Sequence, residues 1–219
     1  MRYKLVVFDL DGTLVNSLTD LANAVNFGLE KVSLPTHNVD EYKDFVGNGR
    51  DKLIERAMGD KGADVALKNT VKSYFDKYYT EHCNDNTTAY DGCAELLMNL
   101  DKNRIMTAVL SNKPDEFVDA ILRKIYPIHH FTLAWGRKPQ FPEKPNPASL
   151  NAIIRELGVQ NHECLYIGDS NVDVYTARNA SVDVLGVDWG FRGREELVAA
   201  GAGVVVSDAS EIMEYINEQ

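Results

Sequence analysis

Cysteine is scarce in this chain of 219 residues: there are three, Cys83, Cys93 and Cys164, and no CxxC pair. That argues against a zinc site or a redox dithiol, and the odd, widely spaced set predicts reduced thiols in a cytoplasm-like compartment. Positive charge is short as well, with 23 Lys and Arg against 33 Asp and Glu and a formal net charge of -10. Nucleic acid and anionic membrane both favour basic surfaces, so neither is expected as the main partner. No apolar run approaches the roughly 20 residues of a membrane span. The apolar stretch before Asp9 is too short for a secretory signal, so no leader is expected. Repeats and low-complexity tracts are lacking.

What is present is an ordinary globular composition, 44% hydrophobic and 26% charged, on a chain long enough to bury a core without disulfide or metal staples. Leu5-Val6-Val7-Phe8 is a short apolar run ending at Asp9, as in a central parallel strand covered on both faces. Asp11-Gly12-Thr13 reads as a turn. Ser17 and Asp20 resemble a helix capping box, and Leu18, Leu21, Ala22, Val25 and Leu29 follow at helical spacing. Two further stripes, Leu53, Ile54 and Ala57, then Val71, Tyr74, Phe75 and Tyr78, extend helical text to about Glu81.

After Tyr90 strand and helix alternate. A helix carrying Cys93, Leu96, Leu97 and Leu100 precedes a strand over 105–110, with Pro114 expected at the first position of the next helix. A strand over 131–135 leads to a proline-rich loop, then a helix from Asn146 that stops at Gly158. Strands over 164–167, 182–187 and 204–206 and a last helix from about Ser207 complete the pattern. The predicted fold is α/β, a Rossmann-like parallel sheet core with helices on both faces plus an inserted α-helical cap. The expected division is 1–15 and 86–219 for the core and 16–85 for the cap.

Ligands of an open parallel sheet bind beyond the carboxyl ends of its strands. The expected strand ends deliver Asp9 and Asp11, Ser111 and Asn112, and Asp169 with Asp173 four residues on, while Lys144 lies in the proline-rich loop. Two carboxylates about 4 Å apart repel by roughly 4 kcal/mol at an effective dielectric of 20. A cluster of them is tolerable around a hard divalent cation, and oxygen donors beside a phosphate point to magnesium.

These residues carry a resemblance. Asp9-Leu10-Asp11-Gly12-Thr13, Ser111-Asn112, Lys144-Pro145 and Gly168-Asp169 with Asp173 look like the four ordered motifs of the haloacid dehalogenase superfamily of phosphohydrolases. The helical insertion matches that family's cap. Asp11 to Ser17, Val46-Gly47-Asn48-Gly49 and Trp189-Gly190-Phe191-Arg192 look most like phosphoglycolate phosphatase-type members, whereas the Tyr175 and Arg178 bulk after Asp173 departs from the usual small-residue helix.

The resemblance implies Mg2+ as cofactor and a phosphoryl-transfer mechanism on a small phosphorylated metabolite. Asp9 would be the nucleophile and a metal ligand. Asp11 would be the acid and base, lending its backbone carbonyl to the metal, and Asp169 would be a further ligand. Ser111, Asn112, Lys144 and Thr13 would bind the phosphoryl group, and Asp173 would hold metal-bound water or orient Lys144. In the cap, Gly49 and Arg50 would read a carboxylate or second anionic group of the substrate, although a plain helix N-terminus with a surface arginine is an equal reading. No role is expected of the five histidines. Tyr74, Tyr78 and Tyr79 read as cap core and rim.

The rival within the superfamily is a beta-phosphoglucomutase-type phosphosugar mutase. A dehalogenase does not need Asp11. A phospho-accepting receiver lacks a large insertion after its first strand, and a non-catalytic binding protein would not need every catalytic group. A monomer or small homo-oligomer in the cytoplasm is expected.

Overall fold

The computed structural model describes residues 2–219. The first strand, β1 (Leu5–Phe8), is buried along its whole length because it pairs in parallel with a strand on each side. One neighbour is β4 (Met106–Pro114), with Leu5 opposite Met106 and Phe8 opposite Val109. The other is β6 (Cys164–Gly168), with Leu5 opposite Cys164 and Phe8 opposite Ile167. β5 (Leu133–Arg137), β7 (Asp183–Val187) and β8 (Val205–Val206) complete a six-stranded sheet ordered β5-β4-β1-β6-β7-β8. Alternation along β1 divides the core. Leu5 and Val7 pack with α7 (Ala148–Glu156), and Val6 and Phe8 join the cluster holding α5 (Cys93–Lys102) and α10 (Ala209–Glu218). A further helix, α9 (Gly193–Ala200), packs against β7 and β8 through Leu197, and both faces of the sheet are covered, as parallel strands require.

Between β1 and α5 the chain leaves the sheet. It forms α1 (Leu18–Lys31), α2 (Tyr42–Phe45), α3 (Gly49–Ala57) and α4 (Val65–His82), with α1 packed along α4. The way out and the way back are tied by a pair of two-residue strands, β2 (Val15–Asn16) and β3 (Thr88–Ala89), antiparallel to each other. Such short strands leave no periodic signal in the sequence.

Three local expectations need correction. Ser17 and Asp20 do not form a capping box. The Ser17 hydroxyl donates to Asp11, and the buried Asp20 carboxylate accepts from the backbone N–H and side-chain amide of Asn86 and from the N–H and hydroxyl of Thr87. Asp20 thus locks the return crossing against α1, a tertiary role that outweighs the local cap. Pro114 ends β4 rather than opening the next helix, α6 (Asp115–Ile125), because β4 runs on past Leu110. On α4 Val71 and Phe75 are buried as expected, but Tyr79 completes the buried stripe while Tyr74 and Tyr78 flank it half-buried, since the helix presents positions four apart to its neighbours.

Candidate active site

Register brings the expected residues to one edge of the sheet. Asp9, Ser111 and Asp169 each follow the paired segments of β1, β4 and β6. The Asp9 backbone N–H donates to Ile167 O at 2.9 Å, which fixes where the first side chain leaves the sheet. The chain then turns sharply: the N–H groups of Thr13, Leu14 and Val15 all reach the carbonyl of Leu10. Gly12 sits at φ +92°, and a Cβ there would run into the Asp169 carboxylate, so both backbone and space call for glycine.

Lys144 is the hub. Its Nζ lies 2.9 Å from Asp9 Oδ1 and 2.8 Å from Asp173 Oδ1, and donates to Tyr166 OH at 3.1 Å. Its backbone is clamped by Asn112, whose side-chain oxygen accepts from Lys144 N at 2.9 Å while its amide donates to Lys144 O at 3.1 Å. Asp173 is also tied to the start of α8 (Asn171–Asn179), accepting from the N–H and hydroxyl of Ser170. Asp169 accepts from Phe191 N at 2.7 Å. Gly190 packs so closely that a Cβ there would meet both Asp169 and the Gly12 carbonyl.

Carboxylate oxygens of Asp9, Asp169 and Asp173 lie within 4.8 Å of one another, all three buried. Burial, followed by the charge of Asp173, pushes the Asp9 carboxyl up to about 7 against the pull of Lys144. Asp169 is driven well above the usual carboxylate range by burial, then by Asp173 and Asp9. Burial disfavours the charge on Lys144, but Asp173 and Asp9 hold its ammonium well above the ordinary lysine value. Three carboxylates facing one ammonium leave negative charge in excess, and an all-oxygen buried set is the donor chemistry a hard divalent cation takes. The Asp11 carboxylate stands outside this cluster. It is held by Ser17 and by Lys113, whose Nζ lies 2.9 and 3.0 Å from its two oxygens.

Above these groups is a cavity of about 50 Å³, walled by Asp9, Asp11, Ser111, Asn112, Lys113 and Lys144 from the sheet edge. Leu21, Val46, Gly47, Gly49, Arg50, Leu53, Phe75 and Tyr79 close it from the inserted helices. A water needs about 10–15 Å³ of such space, so the cavity has room for a few waters. Arg50 lines it and is neither free nor a surface arginine. Its side chain is 17% exposed and pairs with Asp76 on α4, while its Nε is buried without a partner. Thr13 does not line the cavity. Its hydroxyl is buried and unpartnered, and its carbonyl accepts from the Trp189 indole N–H.

Lys113 is the charged wall residue that sequence reasoning passed over, whereas Tyr79, expected as cap core or rim, is buried and also lines the cavity. A lysine at a strand end reads as solvated, and only the carboxylate facing it from Asp11 would have flagged it. His129, given no role, hydrogen-bonds Thr107 and Asp101 away from the site.

Residues 6–187 match the family described as haloacid dehalogenase-like hydrolase. A phosphoglycolate phosphatase of Vibrio parahaemolyticus is 33% identical over 97% of this chain and 96% of its own. One of Colwellia psychrerythraea is 34% identical over 89% and 88%. Among solved structures, a protein of Lactobacillus delbrueckii subsp. bulgaricus, inferred to be a phosphoglycolate phosphatase, superposes with a TM-score of 0.93 at 32% identity, covering 99% of each chain. The chain belongs to the haloacid dehalogenase-like hydrolase family. Within it, the chain is a phosphatase similar to those named for phosphoglycolate.

Proposed function

We propose that the protein hydrolyses a small, acidic phosphomonoester, with 2-phosphoglycolate the first candidate, through a phosphorylated Asp9. The observation that carries this reading is the lining of the cavity. It has two carboxylates at its floor, two buried lysines in its wall and Arg50 in its roof. That arrangement offers a nucleophile and an acid to phosphorus, and the Arg50 guanidinium, paired with Asp76 through one nitrogen, keeps its remaining N–H groups for a second anionic group.

In the first half-reaction an Asp9 oxygen bonds to phosphorus as the bond to the leaving oxygen breaks, and Asp11 delivers its proton to that oxygen. In the second, Asp11 takes a proton from water as the water oxygen bonds to phosphorus and the Asp9–phosphorus bond breaks. Lys144 and Ser111 line the cavity beside Asp9, so charge that spreads over the phosphoryl oxygens would meet an ammonium. Asn112 acts through Lys144 by holding its backbone.

Asp9 and Asp169 fit a magnesium ion by donor chemistry, burial and excess negative charge, with the Asp11 backbone carbonyl as a further oxygen donor, while Asp173, whose oxygens accept from Lys144, Tyr166 and Ser170, holds Lys144 in place. The ion would supply neutralisation of phosphoryl charge. The inserted helices, 16–85, act as a cap that keeps bulk water from the phosphorylated aspartate. Such a cation also explains how a chain of net charge -10 accepts an anion.

Phosphate release measured across phosphorylated metabolites, with and without magnesium, tests the reading. Magnesium-dependent release from 2-phosphoglycolate well above that from hexose phosphates supports it. Preference for hexose phosphates, or interconversion of a sugar 1-phosphate with its 6-phosphate, refutes it in favour of a phosphosugar enzyme.

A further inference from the structure

Lys113 belongs to none of the motifs, yet it is buried as deeply as Lys144, with its side chain 2% exposed. Its Nζ faces both oxygens of Asp11 and lies 5.0 Å from the ring centre of Tyr79. Asp11 is the carboxylate within ion-pair distance of this ammonium. A buried ammonium with a single carboxylate partner is held there by that partner, and the constraint runs both ways. The Asp11 carboxylate therefore has little freedom to turn. Lys113 grips both oxygens, and Ser17, the residue preceding α1, donates to one of them. Tyr79 comes from α4, so one end of the helical insertion touches Asp11 itself through Ser17 and the other touches the ammonium that holds it.

We propose that Lys113 is the positioning residue of the proton-transfer step, fixing the plane of the Asp11 carboxyl toward the cavity with Tyr79 backing its ammonium. The inference rests on the phosphatase reading above and extends it to a residue outside the catalytic set. Lys113 keeps its own protons throughout. The Asp11 O–H bond breaks as the leaving oxygen gains its proton, and Lys113 determines only where that carboxyl points.

A positioning role for the acid predicts dependence on the leaving group. A nitrophenolate departs without a proton, whereas a plain phenolate is far more basic and needs one. Wild-type protein and Lys113→Met are compared on phenyl, 4-chlorophenyl and 4-nitrophenyl phosphate in magnesium, reading kcat/KM, which reports the first half-reaction alone. Lys113→Met is expected to lose about 10²–10⁴-fold on phenyl phosphate and less than about tenfold on 4-nitrophenyl phosphate. Lys113→Arg is expected to recover part of the phenyl phosphate rate.

Equal losses along the series, or none, would overturn the proposal, because a residue that merely supports the fold or binds phosphate affects every ester alike. Circular dichroism checks folding. Should Lys113→Met fail to fold, Lys113→Gln carries the same comparison and the same refuting result. A wild-type protein inactive on the whole series would instead refute the phosphatase reading.

Discussion

Replacing Lys144 by methionine preserves side-chain length and removes the one ammonium that touches the carboxylate cluster. At the observed separations of 2.9 Å from Asp9 and 2.8 Å from Asp173, each pair is worth about 6 kcal/mol at an effective dielectric of 20. Desolvation of the three buried groups offsets much of that in the native protein. Removal of the lysine leaves the carboxylates uncompensated, and such losses typically destabilise by about 3–5 kcal/mol. For a protein of this size each kcal/mol moves the melting temperature by about 2–4 °C, so a fall of roughly 6–20 °C is expected.

The assay is thermal unfolding in EDTA at pH 8, with the Lys144→Met, Asp173→Asn and double variants run together. The double variant should recover about 1–3 kcal/mol relative to the sum of the single changes, since neutralising Asp173 removes one of the stranded charges. Lowering the pH to 6 should shrink the Lys144→Met deficit, because the carboxylates can then take up protons. A variant as stable as wild type at pH 8, or strictly additive single changes, would refute the assignment of Lys144 as the electrostatic hub.

Other perturbations have defined signs. The Asp9 and Asp169 carboxyls lie above their unfolded values, so the metal-free native state binds more protons than the unfolded chain. Their contribution is favourable below about pH 4, and that of Asp9 is lost as pH rises through about 7. In EDTA the melting temperature should fall between pH 5.5 and 8, and magnesium should reverse the fall; a flat or rising curve contradicts this. Arg50→Ala should raise KM for 2-phosphoglycolate about 10–100-fold, the value of a hydrogen bond to a charged group, and leave 4-nitrophenyl phosphate little changed; equal effects on both would remove Arg50 from specificity. Gly190→Ala should displace Asp169 and weaken magnesium affinity about 10–100-fold in a calorimetric titration, and unaltered affinity would count against Asp169 as a ligand.

The strand ends were the legible part of this protein. Apolar runs such as 5–8 and 164–167 can be satisfied only by burial on both faces, so the polar residues that follow them, Asp9 and Asp169, announce a shared edge. Ser111 was legible for the same reason, although β4 continues three residues beyond it. The functions of Ser17 and Asp20 were not legible, because a local capping pattern and a tertiary clamp use the same side chains and only the fold chooses between them. β2 and β3 are too short for any period to register. Lys113 was hidden differently: whether a lysine is solvated or buried depends on the carboxylate brought to it from about a hundred positions away.

The central claim is that Asp9 carries the phosphoryl group. Rapid acid quench of the protein during magnesium-dependent turnover, followed by peptide mass spectrometry, tests it directly. The account predicts one added phosphoryl group on the peptide containing Asp9, absent from Asp9→Asn, which should also fold normally and lose turnover. An unmodified Asp9 peptide together with wild-type turnover by Asp9→Asn would contradict it.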